Sequence, residues 1–306
     1  MNSEILDILS SDGHVKLLNI YDKVSSTNVL AKNTVKDFYE NIKNEDKKTG
    51  LLLPQLFIAD MQTAGRGRMK RAWVSPPETG IWMSYLVKPD IIPERIPQIT
   101  ILAALAVTKS IIAYSSRHSI SVSPRIKWPN DIVLNQKKIC GILTELVSIP
   151  TAGEYISYNH TKLDSQNYSN FVVCGIGINV NTDIFPVDLR TSATSLFLET
   201  GEMWVREEII NDTILYLNDY ISRFEKEENL GFIQEEYNSL LISIGKEVRI
   251  IDNSKCGNTN SSSPDCEIFI SKGIDENGSL LVADSENKIH AISSGEISVR
   301  GLYSYT

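Results

Sequence analysis

The stretch QTAGRGRMKRAW, from Gln62 to Trp73, is the most distinctive part of the chain, because Gly65 and Gly67 alternate in it with Arg66 and Arg68. Glycine lets a backbone approach a ligand closely, and guanidinium groups bind phosphate through forked hydrogen bonds. The alternative interpretation is a solvated basic loop, since Gly and Arg clusters also occur in nucleic-acid-binding tails. The stretch lies between two apolar strand candidates in an acidic chain, which favours an anion-binding loop.

A second informative stretch is RIKWPNDIVLNQKKICGILTEL, from Arg125 to Leu146. A strand-like RIKW is broken at Pro129 and resumes as DIVL, and a second turn ends at the pair Lys137 and Lys138. The break at the proline places three polar residues together at one turn: Lys127, Asn130 and Asp131. The alternative is a plain β-hairpin with surface lysines, and we favour that alternative for Lys137.

Two shorter stretches complete the set. CGIGINVN, from Cys174 to Asn181, is a glycine-bearing strand end at which Asn179 and Asn181 can donate and accept hydrogen bonds at a ligand edge. It is not a dinucleotide-binding fingerprint, because no helix follows a GxGxxG turn, and a strand bulge is the alternative. SSTN, from Ser25 to Asn28, suits a helix N-cap before VLAKNTVKDFY.

The composition is that of an acidic globular chain. Its 306 residues allow one large core and a small accessory domain, because single cores stop growing near ~250 to 300 residues. Acidic residues outnumber basic ones, 38 to 30, which argues against a nucleic-acid partner, since such binding neutralises phosphates with Lys and Arg.

The N-terminus has no signal-peptide pattern and no run of ~18 apolar residues occurs. We therefore expect a soluble, cytoplasmic protein without a membrane partner. The four cysteines and four histidines lie far apart, which argues against a zinc site.

The hydrophobic pattern predicts an α+β arrangement for the first ~240 residues. Residues from Pro97 to about Ser116 are apolar nearly all round, which predicts a buried helix, and Arg206 to Glu227 has the spacing of an amphipathic, peripheral helix. Strands are predicted at Leu52 to Asp60, Gly80 to Val87, Cys140 to Val147 and Asn170 to Val180.

After Ile244 the pattern changes to five short alternating strands with turns between them, which predicts a small β-barrel. We accordingly divide the chain into a catalytic domain, residues 1–242, and a C-terminal domain, residues 243–306. Two polar stretches are predicted to be an exposed loop, Tyr158 to Asn170, and a mobile hairpin insertion, Asp252 to Glu267, because they carry too little apolar surface to offset the entropy of ordering.

The four stretches together, in this order and with similar gaps, resemble biotin protein ligases. The resemblance runs from about Ile20 to the C-terminus, where SGEISVRG resembles the end of the family's small C-terminal domain. It implies a mixed sheet flanked by helices, as in class II aminoacyl-tRNA synthetases, plus an SH3-like C-terminal β-barrel. Only about twenty residues precede the first motif, too few for the winged helix-turn-helix of family members that repress transcription. We therefore expect a monofunctional form without a DNA-binding domain.

The resemblance also implies an activity. Such an enzyme activates biotin with ATP and Mg²⁺ to biotinyl-5′-AMP and transfers biotin to a lysine of the biotin carboxyl carrier domain of a biotin-dependent carboxylase. Two alternatives remain open at this stage: a lipoate or octanoate ligase of the same superfamily, and a non-catalytic biotin-binding regulator. The four phosphate-facing cations and the ureido-reading cluster favour biotin ligation. Homodimerisation through a sheet edge is also left open.

The resemblance and the charge argument together assign three groups of residues. The catalytic group is Arg66, Arg68, Lys127, Asp131 and Lys138, with Asp131 as an orienter or a base. The biotin-binding group is Ser26, Thr27, Asn28, Gln62, Gly65, Arg66, Gly67, Arg68, Lys138 and Gly141. The nucleotide-binding group is Arg68, Trp73, Asn130 and Asn179. The segment from Gly65 to Trp73 is predicted to cover the reactive anhydride, and the metal ligands are not assigned.

Overall fold

A computed structural model of the chain describes residues 6, 8–9, 11–42, 50–150, 168–252, 267–293 and 297–301. Its larger sheet contains β1 (Leu17–Val24), β2 (Gln55–Gln62), β3 (Gly80–Val87), β4 (Arg125–Lys127), β5 (Asp131–Leu134), β6 (Lys137–Pro150) and β7 (Tyr168–Asn179). The spatial order is β1-β2-β3-β7-β6-β5-β4. The first pair of strands is parallel and all other neighbours are antiparallel, so the sheet is mixed.

Helices cover both faces of this sheet. They are α1 (Thr27–Ile42), α2 (Gln98–Arg117), α3 (Leu196–Thr200), α4 (Arg206–Glu227) and α5 (Gly231–Leu240). On one face, α1 buries Ala31 and Val35 against Phe57 and Phe171 of the sheet. On the other face, α2 belongs to the main core and packs against α4. The segment Pro93–Arg117 is long and apolar enough to cross a membrane, but 67% of its most apolar window is buried inside the protein, as in a core helix.

Most predicted elements are confirmed. The helix predicted from Pro97 to Ser116 lies at Gln98–Arg117, and the amphipathic helix lies at Arg206–Glu227 as predicted. RIKW and DIVL form the antiparallel strands β4 and β5, and β6 follows after a tight turn with left-handed backbone at Asn135 and Gln136. The prediction missed β1, α3 and α5. All three show a weak pattern, because β1 is a half-exposed edge strand, α3 has only five residues and α5 buries only Ile233 and Tyr237.

The C-terminal residues form a second, five-stranded sheet. Its strands are β8 (Glu247–Asp252), β9 (Ile268–Ile274), β10 (Leu280–Ala283), β11 (Ile289–Ile292) and β12 (Ile297–Gly301), in the order β11-β10-β9-β8-β12. All neighbours are antiparallel, which confirms the predicted series of short strands. Closure into a barrel and the boundary at residues 242 and 243 stay predictions. The predicted hairpin insertion, Asp252 to Glu267, lies largely outside the described residues. The predicted loop from Tyr158 to Asn170 also lies largely outside them, and its last three residues form the start of β7 instead of a loop.

The turn between β9 and β10 joins the two sheets. The indole Nε1 of Trp128, next to the Pro129 break, donates a buried hydrogen bond of 3.0 Å to the carbonyl oxygen of Gly278 in this turn. Gly278 has a φ of 78°, and a Cβ there would lie 3.0 Å from Leu230 Cδ1. Apolar residues of the second sheet join the same core as α2: Val248, Ile274, Leu280 and Val282. The C-terminal sheet therefore supports the segment that carries Asn130.

We predict that Trp128→Phe lowers the free energy of unfolding by about 1–3 kcal/mol, because it leaves the buried Gly278 carbonyl without its donor. Urea unfolding followed by circular dichroism measures this. Trp204→Phe is the matched control, since Trp204 Nε1 donates to a Thr200 hydroxyl that keeps its own bond to Leu196 O. An equal loss in both variants would mean that only the change in packing matters.

Candidate active site

The arginine-rich loop folds back on itself at the end of β2. Bridges pair Gln62 with Ser75 and Arg66 with Ala72, and the amide of Trp73 donates to Gly65 O at 2.9 Å. A Cβ at Gly65 would lie 2.4 Å from Trp73 O, so this close approach requires glycine. The loop is therefore a narrow hairpin with antiparallel bridges, and its arginine side chains extend from an ordered backbone.

A small cavity of about 40 Å³ lies beneath this loop. Its polar floor comes from the start of α1 and the end of β2 and consists of Ser26, Thr27, Asn28 and Gln62. The amide of Thr27 donates to Gln62 Oε1 at 2.9 Å, and Gln62 Nε2 donates to Ser75 Oγ at 3.0 Å. The walls include Met83, Ile142, Leu143 and Ile176. The cavity thus combines a fixed hydrogen-bonding end with aliphatic sides.

A larger cavity of about 400 Å³ adjoins the small one. Cationic side chains line it, namely Arg68, Arg71, Lys127 and Lys138. Asn179 lies at its edge with its amide donating to Thr194 O at 3.1 Å. Asn181, which the sequence also suggested for a ligand edge, instead uses both ends of its amide on the backbone of Trp204. Asn181 is therefore a structural residue in this protein.

The charged groups between the cavities are held by one another. Lys138 Nζ lies 2.7 Å from Asp131 Oδ1, and Asn130 Nδ2 donates to the same oxygen at 3.0 Å. Arg68 Nη1 donates to Asn130 Oδ1 at 2.8 Å. Burial lowers the pKa of Arg68, while the charge of Asp131 acts in the opposite direction. Five cations but a single carboxylate, Asp131, line the two cavities among the described residues, so the site is suited to anions.

The indole of Trp73 separates the two cavities and lines both. It packs on a flat floor of glycine backbone, since a Cβ at Gly177 would lie 2.6 Å from Trp73 Nε1 and one at Gly141 2.9 Å from Cζ3. Lys138 Nζ lies 5.1 Å from the ring centroid. The indole nitrogen is buried and has no hydrogen-bond partner among the described residues. Its N–H is therefore a donor that the described protein groups leave unused.

A dedicated metal site is not formed by the described side chains. Among them, no group of three or more His, Cys, Asp or Glu residues is close enough to hold an ion. Asp131 is already paired with Lys138. Magnesium in nucleotide sites takes most of its ligands from phosphates and water.

The structure brings nearly all sequence-predicted site residues to these two cavities. The exceptions are Gly65, which faces the carbonyl oxygen of Trp73, and Asn181, which binds the backbone of Trp204. The prediction missed the lining residues Gly175, Ile176, Gly177, Phe185, Leu189, Ser192 and Ala193. The alternating glycines of CGIGINV were a signal for the first three of these residues. The segment from 185 to 193 carries no local pattern that indicates a ligand.

Comparisons with known proteins agree with this geometry. Residues 28–158 match the biotin/lipoate A/B protein ligase family, and residues 267–300 match the biotin protein ligase C terminal domain. The chain is 33% identical over 301 residues to the bifunctional ligase/repressor BirA of Bacillus subtilis strain 168, which covers 96% of this chain and 78% of that protein. The chain belongs to the biotin protein ligase family.

Other members of the biotin protein ligase family give the same picture. The ligase/repressor BirA of Bacillus spizizenii is 38% identical over 198 residues, which is 63% of this chain and 54% of that protein. The matched part thus spans about half the length of that relative. A solved biotin protein ligase from Aquifex aeolicus in complex with biotin and ATP superposes with a TM-score of 0.66 at 25% identity, covering 94% of this chain and 99% of that one. The predicted fold, a mixed sheet flanked by helices with a small C-terminal sheet, is confirmed.

Proposed function

We propose that this chain is a biotin protein ligase that activates biotin with ATP and transfers it to a lysine of a carrier protein. The observation that carries the proposal is the pair of adjoining cavities. One has a polar floor with aliphatic walls, and the other is lined by cations. Arg68, Trp73 and Lys138 lie where the two meet. That border is where an acid group and a triphosphate would have to react.

In the first step, a carboxylate oxygen of biotin attacks the α-phosphorus of ATP, and the bond to the leaving pyrophosphate breaks. Both reactants are anions, so catalysis depends on positioning and on cations that offset developing charge. Arg68 and Lys138 lie at the junction and supply this charge, and Arg66 and Lys127 extend it to either side. We keep Mg²⁺ as a component of the ATP complex rather than of the protein.

The small cavity suits biotin, whose ureido ring is polar and whose tail is apolar. Thr27, Asn28 and Gln62 would meet the ring, and Met83 and Ile142 would flank the tail. At about 40 Å³ the cavity is well below the ~300 Å³ of ordinary ligand sites, so the site has to widen when biotin enters. We assign this movement to the segment from Gly65 to Trp73, which we propose as the cover.

In the second step, the amine of an acceptor lysine attacks the carbonyl carbon of the anhydride, and AMP leaves. Deprotonating a lysine at pH 7 costs roughly 4 to 5 kcal/mol. Asp131 already accepts from Lys138 and Asn130, so we assign it the role of orienting these two residues. The surrounding cations would lower the pKa of the incoming amine.

We further propose that the acceptor is the biotin carboxyl carrier domain of a biotin-dependent carboxylase in the cytoplasm. One edge of the sheet offers a docking surface. In the part of the chain that the structure describes, β6 from Thr144 to Pro150 pairs with β7 on one side and has no strand on the other. Free strand edges pair readily with other chains. The same edge supports homodimerisation as a second proposal.

Biotin-dependent exchange of radiolabelled pyrophosphate into ATP tests the proposal. We expect exchange with biotin and at most background exchange with octanoate, because octanoate has no ureido ring for the polar floor. Exchange with octanoate instead would favour a lipoate or octanoate ligase. Binding of biotin without any exchange would indicate a non-catalytic regulator, although such a regulator has no use for five cations.

A further inference from the structure

A chain of polar contacts runs from the protein surface to the floor of the small cavity. Lys32 Nζ lies 2.6 Å from Glu145 Oε1, and the other carboxylate oxygen of Glu145 accepts from Asn28 Nδ2 at 2.8 Å. The hydroxyl of Ser84 lies 2.5 Å from Asn28 Oδ1 and 2.7 Å from Thr27 Oγ1. Glu145 and Lys32 line neither cavity, and Ser84 is fully buried. These outer residues therefore act on the site only through Asn28 and Thr27.

The amide of Asn28 has one allowed orientation. Its Nδ2 faces two acceptors, the Glu145 carboxylate and the carbonyl oxygen of Leu143 at 3.3 Å. Reversing the amide would place its oxygen against a carboxylate that has no proton to donate. Gly175 holds the amide from below, since a Cβ there would lie 2.1 Å from Asn28 Oδ1. Asn28 Oδ1 is thus fixed as an acceptor that faces Ser84.

This orientation decides the direction of the remaining protons. A hydroxyl has one proton, and the Ser84 proton must go to Asn28 Oδ1, which can only accept. Thr27 Oγ1 lies 2.7 Å from Ser84 Oγ and 3.3 Å from Gln62 Oε1. Ser84 has no proton left for its contact with Thr27, and Gln62 Oε1 already accepts from the backbone amide of Thr27 at 2.9 Å, so the hydroxyl proton of Thr27 goes to the nearer oxygen, that of Ser84. Thr27 Oγ1 is left with a free lone pair at the cavity, which accepts a hydrogen bond.

We propose that Glu145 is a positioning residue that sets this donor and acceptor pattern and thereby selects a ligand with a ring N–H at Thr27. The inference rests on the proposed function, in which that N–H belongs to the ureido ring of biotin. Glu145 acts at a distance from the ligand, and Lys32 holds its carboxylate in place. A glutamine at position 145 could present either its oxygen or its NH₂ to Asn28, so the pattern could reverse and Thr27 could donate.

The test compares biotin with its two cyclic-carbamate analogues, in each of which one ring N–H of the urea is replaced by oxygen. Isothermal titration calorimetry gives the dissociation constant of each compound. We expect the parent protein to prefer biotin by at least about a hundredfold over the analogue whose oxygen faces Thr27, because two acceptors then face each other. In Glu145→Gln this preference should fall at least tenfold. A general loosening of the site would weaken both ligands equally and leave the ratio unchanged.

Two further variants sharpen the result. Ser84→Ala removes the hydroxyl that links Asn28 to Thr27. Adding Glu145→Gln to Ser84→Ala should therefore change the preference for biotin over the analogue less than twofold, as a double-mutant cycle measures. Lys32→Met keeps the carboxylate and should retain most of the preference.

Several outcomes would overturn the inference. One is that Glu145→Gln leaves the ratio of the two dissociation constants, for the analogue and for biotin, unchanged. Another is that Glu145→Gln changes this ratio as much in the Ser84→Ala background as in the parent protein. If Glu145→Gln does not fold, an unchanged preference in Ser84→Ala would overturn the inference, because that variant removes the hydroxyl through which Glu145 acts on Thr27. A parent protein that binds no biotin would overturn the proposed function as well, which distinguishes the two failures.

Discussion

Arg68→Gly is expected to form biotinyl-5′-AMP and then to lose it. Arg68 lines both cavities and donates to Asn130 at 2.8 Å, so its guanidinium ties the arginine-rich loop to the segment after Pro129. It also supplies a partly desolvated positive charge where the phosphate of the adenylate would lie. Glycine removes both anchors and adds backbone freedom, and we expect the adenylate to dissociate at least about tenfold faster.

The measurement follows both products. The variant is mixed with ATP, biotin and serum albumin, and the biotin bound to albumin is compared with that from the parent, because a free mixed anhydride acylates lysines without regard to sequence. Met69→Gly is the matched control. Met69 lies at the exposed tip of the same loop with a φ of 55°, so glycine there adds freedom without removing a guanidinium. If Arg68→Gly retains its adenylate as long as the parent, Arg68 is not part of the cover.

Lys138→Ala is expected to lower biotin-dependent pyrophosphate exchange more than tenfold, which is about 1.4 kcal/mol or more of transition-state stabilisation. Lys138 lies at the junction of the cavities, 2.7 Å from Asp131 and over the ring of Trp73. Its removal deletes a cation beside the reacting oxygen and leaves Asp131 as an unbalanced negative charge near two anionic substrates.

Stability should change little in this variant, because the ion pair of Lys138 with Asp131 is partly exposed and such pairs contribute little to folding. Lys137→Ala is the matched control, since Lys137 is the neighbouring residue of the same strand and lines neither cavity. The control should stay within twofold of the parent. A folded Lys138→Ala protein with parental exchange would show that Lys138 has no catalytic role.

Local patterns in the sequence predicted most of the elements and many of the site residues. The apolar composition of α2, the amphipathic spacing of α4 and the turns around Pro129 and Asn135 all depend on residues a few positions apart. The same holds for the anion-binding loop, because its glycines and arginines are consecutive. Such patterns can be recognised without knowledge of the tertiary structure, since each depends only on which residues of a short segment are apolar, charged or glycine.

Tertiary structure alone decided which groups face one another. The small cavity depends on Gly177 meeting Trp73, and its donor pattern depends on Glu145 meeting Asn28, 117 residues earlier. Both contacts follow from the strand order in which β7 lies between β3 and β6, which no local spacing encodes. By itself the sequence determined which segments form helices, strands and an anion-binding loop. The hydrogen-bond polarity of the site was decided by the sheet, because partners distant along the chain become neighbours only when the strands pair.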